Sequence, residues 1–387
     1  MSIYLDYAAA TPLDPRVRLA MEPYLTDDFY NPSSSYLAAR QVKRDIEEAR
    51  SRVAHWLGAR PTEVYFTAGA TESINIAIHG VMRAFPDGNT VTIGTEHDAV
   101  LRSVEQYGHK IASVLSDGRV EPEQIGLLTD EKTVLLSIAY ANNELGTIQQ
   151  ITHIAQLVRE VRVERQKSGN MLPLYLHTDA SQAVGYLDLH AARLGVDLMT
   201  LNGAKMYGPK QTGVLYVKAG TKLSSPLTGG GQERGIRSGT ENVAGAIGLA
   251  TALEITQEDK KEALPKYAAL RDELQRRIVE ALPQTVVNGN LKHRLPNSLH
   301  LSWPEIDGER LVMQLDEQGV MAATGSACAA NKQTASHVLT ACDMADDLLQ
   351  GSLRLTVGAP TTPQDIGKAA EVIIRSVQAQ LENNSAI

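Results

Sequence analysis

Lys205 is where chemistry is first legible in this sequence. It follows the apolar run 198–201 and the turn Asn202-Gly203-Ala204, and it precedes Tyr207-Gly208-Pro209 and a second apolar run, 213–217. The pattern predicts a lysine on a tight turn between two strands. Desolvation there depresses the pKa of its amine. A neutral amine forms a Schiff base with an aldehyde cofactor such as pyridoxal phosphate. A surface lysine in a polar turn has the same local signature, so the other parts of such a site have to be found elsewhere in the chain.

Those parts are a carboxylate for the pyridinium nitrogen, a phosphate cradle, a group stacked on the ring and an arginine for an amino-acid carboxylate. A short strand at 63–67 runs into Ala68-Gly69-Ala70-Thr71-Glu72-Ser73, and an apolar helix follows from about Ile74. Backbone N–H groups and the positive helix end meet there and suit a phosphate; an ordinary turn capped by Thr71 or Ser73 has the same composition. Asp179 ends a predicted strand 26 positions before Lys205, about one strand–helix–strand unit, so the two can converge. Gln182 would then lie near the ring's phenolic oxygen. His97, with a side-chain pKa near neutrality, suits stacking and proton transfer; a surface histidine after a strand is the alternative.

The elements that must position these residues read as an α/β chain. Strands are predicted at 63–67, 90–93, 112–115, 134–140, 174–177, 197–201 and 213–217. Helices fall between or beside them at 16–24, 37–57 and 151–163. Such alternation implies a mostly parallel seven-stranded sheet with ligands at the strands' C-terminal ends. Residues 243–280 read as mostly helical, with a charged stretch near 257–262 as a boundary. A small α/β unit follows, with strands near 298–301 and 353–357 and helices at 307–318 and 363–381. The expected division is a large domain, 15–258, and a small one formed by 1–14 and 259–387. The segment TGGGQERGIRSGTEN from Thr228 holds Arg234 and Arg237 in a loop suited to anions or left flexible at the surface.

A net charge of −8 argues against non-specific binding to nucleic acid or an anionic membrane. No apolar run approaches the roughly 20 residues that span a bilayer, and no signal peptide is read at MSIYLDYAAATP. Two cysteines, Cys328 and Cys342, make no disulfide framework or metal knuckle, so no metal is expected and a reducing cytoplasm is the default. Cys342 suits a buried helix face. Cys328 lies among small residues, Thr324-Gly-Ser-Ala-Cys-Ala-Ala-Asn, which suits a thiol that serves both a pocket and an outside acceptor.

In order, LDYAAATPLDP, FTAGATESIN, TEHDAV, NNELGT, HTDASQAVG, KMYGPK, GGGQERGIRSGT, TGSACAA and LRLTVG span nearly the whole chain. Together they resemble the cysteine desulfurases of the NifS/IscS group, fold-type I pyridoxal-phosphate enzymes related to class-V aminotransferases. The resemblance implies a homodimer that turns L-cysteine into L-alanine and passes the sulfur, as a persulfide, to an acceptor protein such as an iron–sulfur scaffold or a tRNA-thiolation carrier. It gives Ala70 and Thr71 the phosphate cradle, His97 the ring face, and Asn143 a place near cofactor and substrate. It gives Asp179 the pyridinium nitrogen, Gln182 the ring oxygen and Lys205 the Schiff base. Thr240 matches a threonine that reaches the neighbouring subunit's phosphate, Arg354 the arginine for the substrate carboxylate, and Cys328 the nucleophile.

Four positions depart from the family pattern. Ala204 stands where the family has a histidine before the lysine, and Asn202 where it has serine. Tyr36 and Gln232 stand where histidines are common. The resemblance then implies an active enzyme with a less tightly held cofactor, the Asn202 amide replacing part of the lost contact. Two other readings are carried beside it: another enzyme on this fold (an aminotransferase or selenocysteine lyase), and a low-activity sulfur-transfer scaffold.

Overall fold

A computed structural model describes residues 2–325 and 336–385. Seven strands form the main sheet: β1 (Val64–Thr67), β2 (Asn89–Ile93), β3 (His109–Ala112), β4 (Thr133–Ser137), β5 (Tyr175–Asp179), β6 (Leu198–Asn202) and β7 (Gly213–Val217). Their order is β1-β7-β6-β5-β4-β2-β3, and only β7 runs against its neighbours. Side chains alternate between faces along each strand. Leu136, Leu176 and Met199 enter one apolar core, while Leu135, Tyr175 and Leu198 enter the core on the other face.

The first core is covered by α1 (Leu37–Leu57), the second by α2 (Ala70–Ala84) and α3 (Asp98–Val104). In α1, Val42, Ile46, Ala49, Val53 and Leu57 recur at helical spacing and are buried, and Gly58 closes the helix at φ +58°. A helix α4 (Ile151–Ser168) adds Ile151, Ile154, Ala155 and Val158 to the first core.

One helix, α5 (Val243–Ala281), joins two cores. Its first turns bury Ile247, Leu249 and Leu253 against the main sheet. Its last turns bury Tyr267, Leu270, Leu274 and Ile278 in a second unit. That unit holds the antiparallel strands β8 (Val286–Val287), β9 (Ser298–Ser302) and β10 (Ser352–Thr356). Its helices include α6 (Gly308–Glu317) and α8 (Pro363–Ser385), whereas α7 (His337–Ala341) packs Val338 and Leu339 against Leu145 in a separate small cluster. Ile3 and Leu5 from the N-terminus belong to its core. The charged stretch near 257–262 is the middle of α5 and no linker, because Glu, Lys and Asp propagate a solvated helix between two buried ends.

Several element boundaries differ from expectation: the fourth strand ends at Ser137, short of 140, and α4 continues past 163 to Ser168. The helix after β1 starts at Ala70, before Ile74, because Gly69 at φ +129° turns the chain into it at once. The third strand lies at His109–Ala112, three residues early. The first helix is broken into Pro15–Met21 and Pro23–Thr26, the second opening on a proline, a residue suited to the first helical turn.

Candidate active site

The ends of β1, β2, β4, β5 and β6 open on one cavity of about 180 Å³. It is lined by Ala70 and Thr71 from the start of α2, His97, Asn143, Asp179, Gln182, Asn202, Lys205 and Arg354. The residues expected from sequence are thus brought together, with two exceptions. Thr240 lines a second cavity with Ala68 and Arg237. Cys328 lies outside the described residues. Ala204 is not among the lining residues.

Each side chain is set by its element. Asp179 is the last residue of β5, and its Oδ1 accepts from Ser181 N (2.9 Å). Behind it on the same strand, His177 is fully buried between Ser137 Oγ (2.9 Å) and Thr200 Oγ1 (3.0 Å), and burial pushes its imidazole down to about 4. His97 precedes α3 and caps it, Nδ1 accepting from Ala99 N (3.0 Å). A backbone N–H only donates, so Nδ1 carries the lone pair and the neutral ring keeps its proton on Nε2. Next to it, Glu96 is fully buried, its Oε1 accepting from Ala139 N (2.6 Å). Burial pushes its carboxyl well above the usual carboxylate range.

Lys205 closes the turn after β6, and its Nζ donates to the carbonyls of Ala8 and Ala9 (2.6 Å each). Gln182 Nε2 donates to Ala8 O (3.1 Å). The N-terminal segment therefore lies across the cavity, a part of the site that the sequence reading did not assign. Asn142 fixes the loop beside it: its Oδ1 accepts from Glu144 N and Leu145 N, and its Nδ2 donates to Thr95 O. Arg354, on β10, is 2% exposed; Nη1 donates to Asn143 O (3.2 Å) and Nη2 to Asp6 Oδ1 (2.6 Å).

The lining fits pyridoxal phosphate. Thr95 Oγ1, Ser181 Oγ and Arg354 Nε are buried on cavity-lining residues and have no partner among the described residues. Such groups are costly unless something meets them. The start of α2 has no side-chain cap, and Gly69 turns the backbone there without a side chain in the way. Asn202 Oδ1 accepts from Ala204 N (3.1 Å), which leaves its amide nitrogen as the donor that it can offer an anion. Arg234 and Arg237 are already engaged. Arg234 donates to Val64 O and Pro61 O (3.2 Å each), and Arg237 pairs with Glu72 (3.2 Å).

Residues 3–368 match the family model described as Aminotransferase class-V. The cysteine desulfurase IscS of Dictyoglomus turgidum is 38% identical over 383 residues, covering 97% of this chain and 94% of the relative. A solved NifS-like protein superposes with a TM-score of 0.89 at 32% identity, covering 98% of this chain and 100% of the other. The solved structure of SspA in complex with cysteine has a TM-score of 0.77 at 29% identity, covering 92% of this chain and 99% of the other.

Proposed function

The chain belongs to the class-V aminotransferase family, in its cysteine desulfurase group, and we propose that it converts L-cysteine to L-alanine with pyridoxal phosphate and carries the sulfur as a persulfide on Cys328. The observation behind this reading is the single cavity shared by Lys205, His97, Asp179, Gln182, Asn143 and Arg354. When bound, pyridoxal phosphate withdraws electrons from the α-carbon of the amino acid beside it.

The chain does the rest. The start of α2, with Ala70 and Thr71, and the Asn202 amide would hold the phosphate. Asp179 would keep the pyridine nitrogen protonated by placing a negative charge against it. Gln182 would serve the phenolic oxygen and His97 the ring. Asn143 and Arg354 orient the substrate, the arginine by its carboxylate. Lys205 takes the α-proton on Nζ, its ammonium form being held by the carbonyls of Ala8 and Ala9. Cys328, as thiolate, bonds to the substrate sulfur as the carbon–sulfur bond breaks. The electron pair left on the β-carbon takes a proton, and Lys205 returns a proton to the α-carbon, which gives alanine.

The same reading makes the protein a cytoplasmic homodimer that hands sulfur to an acceptor protein, an iron–sulfur scaffold or a thiolation carrier, with no direct contact to nucleic acid or membrane. Two features favour the dimer. Thr240 lines a cavity other than that of Lys205, a position suited to serving a second subunit. Leu19, Leu25, Phe29 and Leu37 are each more than half exposed and offer apolar surface to bury.

The test is alanine released from L-cysteine with added pyridoxal phosphate, alongside trapping of protein persulfide. The parent and C342S are expected to give both products, because Cys342 is 3% exposed and burial pushes its thiol up to about 12, leaving no thiolate. C328A is expected to give neither. Alanine at the parent's rate from C328A would overturn the assignment and favour another enzyme on this fold.

A further inference from the structure

We infer that Asp6 is a positioning residue for the substrate carboxylate: it holds the Arg354 guanidinium by its tip so that the Nε edge faces the cavity. The inference rests on the amino-acid substrate proposed above. Asp6 is not among the cavity-lining residues, whereas Arg354 is. Asp6 therefore acts through the arginine.

Backbone pairing fixes the contact. Asp6 bridges Thr356 in parallel register, Thr356 N donates to Leu5 O (2.7 Å), and Ala8 N donates to Thr356 Oγ1 (2.9 Å). Thr356 and Arg354 are two residues apart on β10, so the same ladder that seats the N-terminal segment brings Asp6 Oδ1 to 2.6 Å from Nη2. Nη1 is held by Asn143 O (3.2 Å). With the tip held on both sides, Nε is the guanidinium's buried donor without a partner among the described residues. A guanidinium is a flat fork whose orientation decides which N–H groups a carboxylate meets. Two fixed contacts leave one edge for one carboxylate. The nearby carbonyls of Ala8 and Ala9 tie the same segment to Lys205, so Asp6–Ala9 links the amine that takes the α-proton to the arginine that orients the amino acid.

The experiment titrates cofactor-loaded parent, D6A and D6N with L-alanine and with ethylamine, which lacks only the carboxylate, and follows cofactor absorbance. D6A is expected to bind L-alanine about tenfold more weakly or worse, as for loss of one charged hydrogen bond. Its ethylamine affinity should stay within about twofold of the parent. D6N keeps an acceptor oxygen and removes a like charge from the carboxylate's surroundings, so it is expected to bind L-alanine at least as tightly as the parent. Unchanged or tighter alanine binding by D6A, an equal loss with ethylamine, or a D6N variant as weak as D6A would each overturn the inference. If D6A does not fold, D6N decides alone: tightening supports the role and a loss of about tenfold removes it. Because binding is read without turnover, a parent that makes no alanine from cysteine would sink the desulfurase reading and leave this test intact.

Discussion

Ala204 sits beside the proposed Schiff-base lysine with a methyl group where the resemblance implies an imidazole. Its backbone is well used: its N–H donates to Asn202 Oδ1 and its carbonyl accepts from Thr11 N (3.0 Å) and Oγ1 (3.0 Å). The turn is held by its main chain, and what the resemblance implies it lacks is one donor toward the phosphate. A hydrogen bond to a charged group contributes about 1.5–3 kcal/mol. Restoring it in A204H is therefore expected to tighten pyridoxal phosphate about tenfold to a hundredfold, read by fluorescence titration of cofactor-free protein. Equal affinity in parent and variant would show that Asn202 already does the whole task.

At the scale of elements, the Gly-rich loop after Thr228 shows what local sequence carries and what it leaves out. Its arginines read as anion binders or as a loose surface loop, and in the structure both side chains also hold contacts within the protein. Arg50 on α1 reaches in and pairs both Nη atoms with Glu233 (2.7 and 2.8 Å), and Phe66 N donates to the same carboxylate (2.9 Å). The loop is pinned from a helix 183 residues away in sequence, a contact no local pattern encodes. Breaking such a buried pair leaves a charge without its partner, at a cost of about 3–5 kcal/mol. E233A should therefore lose stability of that size in urea unfolding, whereas R193A, which removes an exposed pair with Asp188, should lose far less. Comparable losses in the two variants would refute the pinning argument. The same distinction explains the rest. The seven main strands are legible to within about three residues, because alternation and flanking small residues are local. The reversal of β7 was not legible, because direction depends on which neighbour a strand pairs with. Lys205, Asp179 and His97 could be found because each follows a strand and carries distinctive chemistry. Asp6 carries no such local signal, because its contact with Arg354 is set by β10 near the other end of the chain.

α5 joins the main sheet to the second unit, and we propose a division into 15–258 against 1–14 with 259–387, so that the N-terminal segment reaches the cavity from the smaller unit. Under that cavity lie groups whose proton affinities folding changes in opposite directions. His177 and His300 are fully buried and pushed down by burial to about 4 and about 3. Glu96 is buried and pushed up, Asp179's negative charge adding to the effect of burial. Between about pH 4.5 and 6.5 the unfolded chain protonates both histidines while the native state leaves them neutral, so they make stability rise with pH there, and the raised Glu96 carboxyl acts in the opposite sense. Above about pH 6.5 the histidines are neutral in both states. Groups that burial holds protonated, Glu96 and Cys342, then oppose stability as pH rises. Urea unfolding of cofactor-free protein is therefore expected to show stability rising with pH across the histidine range. E96Q replaces the acid by a neutral amide that can still accept from Ala139 N. It should steepen the acid side, since the histidines then act unopposed. An acid side no steeper in E96Q than in the parent would mean that Glu96 is ionised in the native protein. It would then stand as a second anion beside Asp179 under the cavity, and Asp179 would not be the sole negative charge available to a pyridinium there.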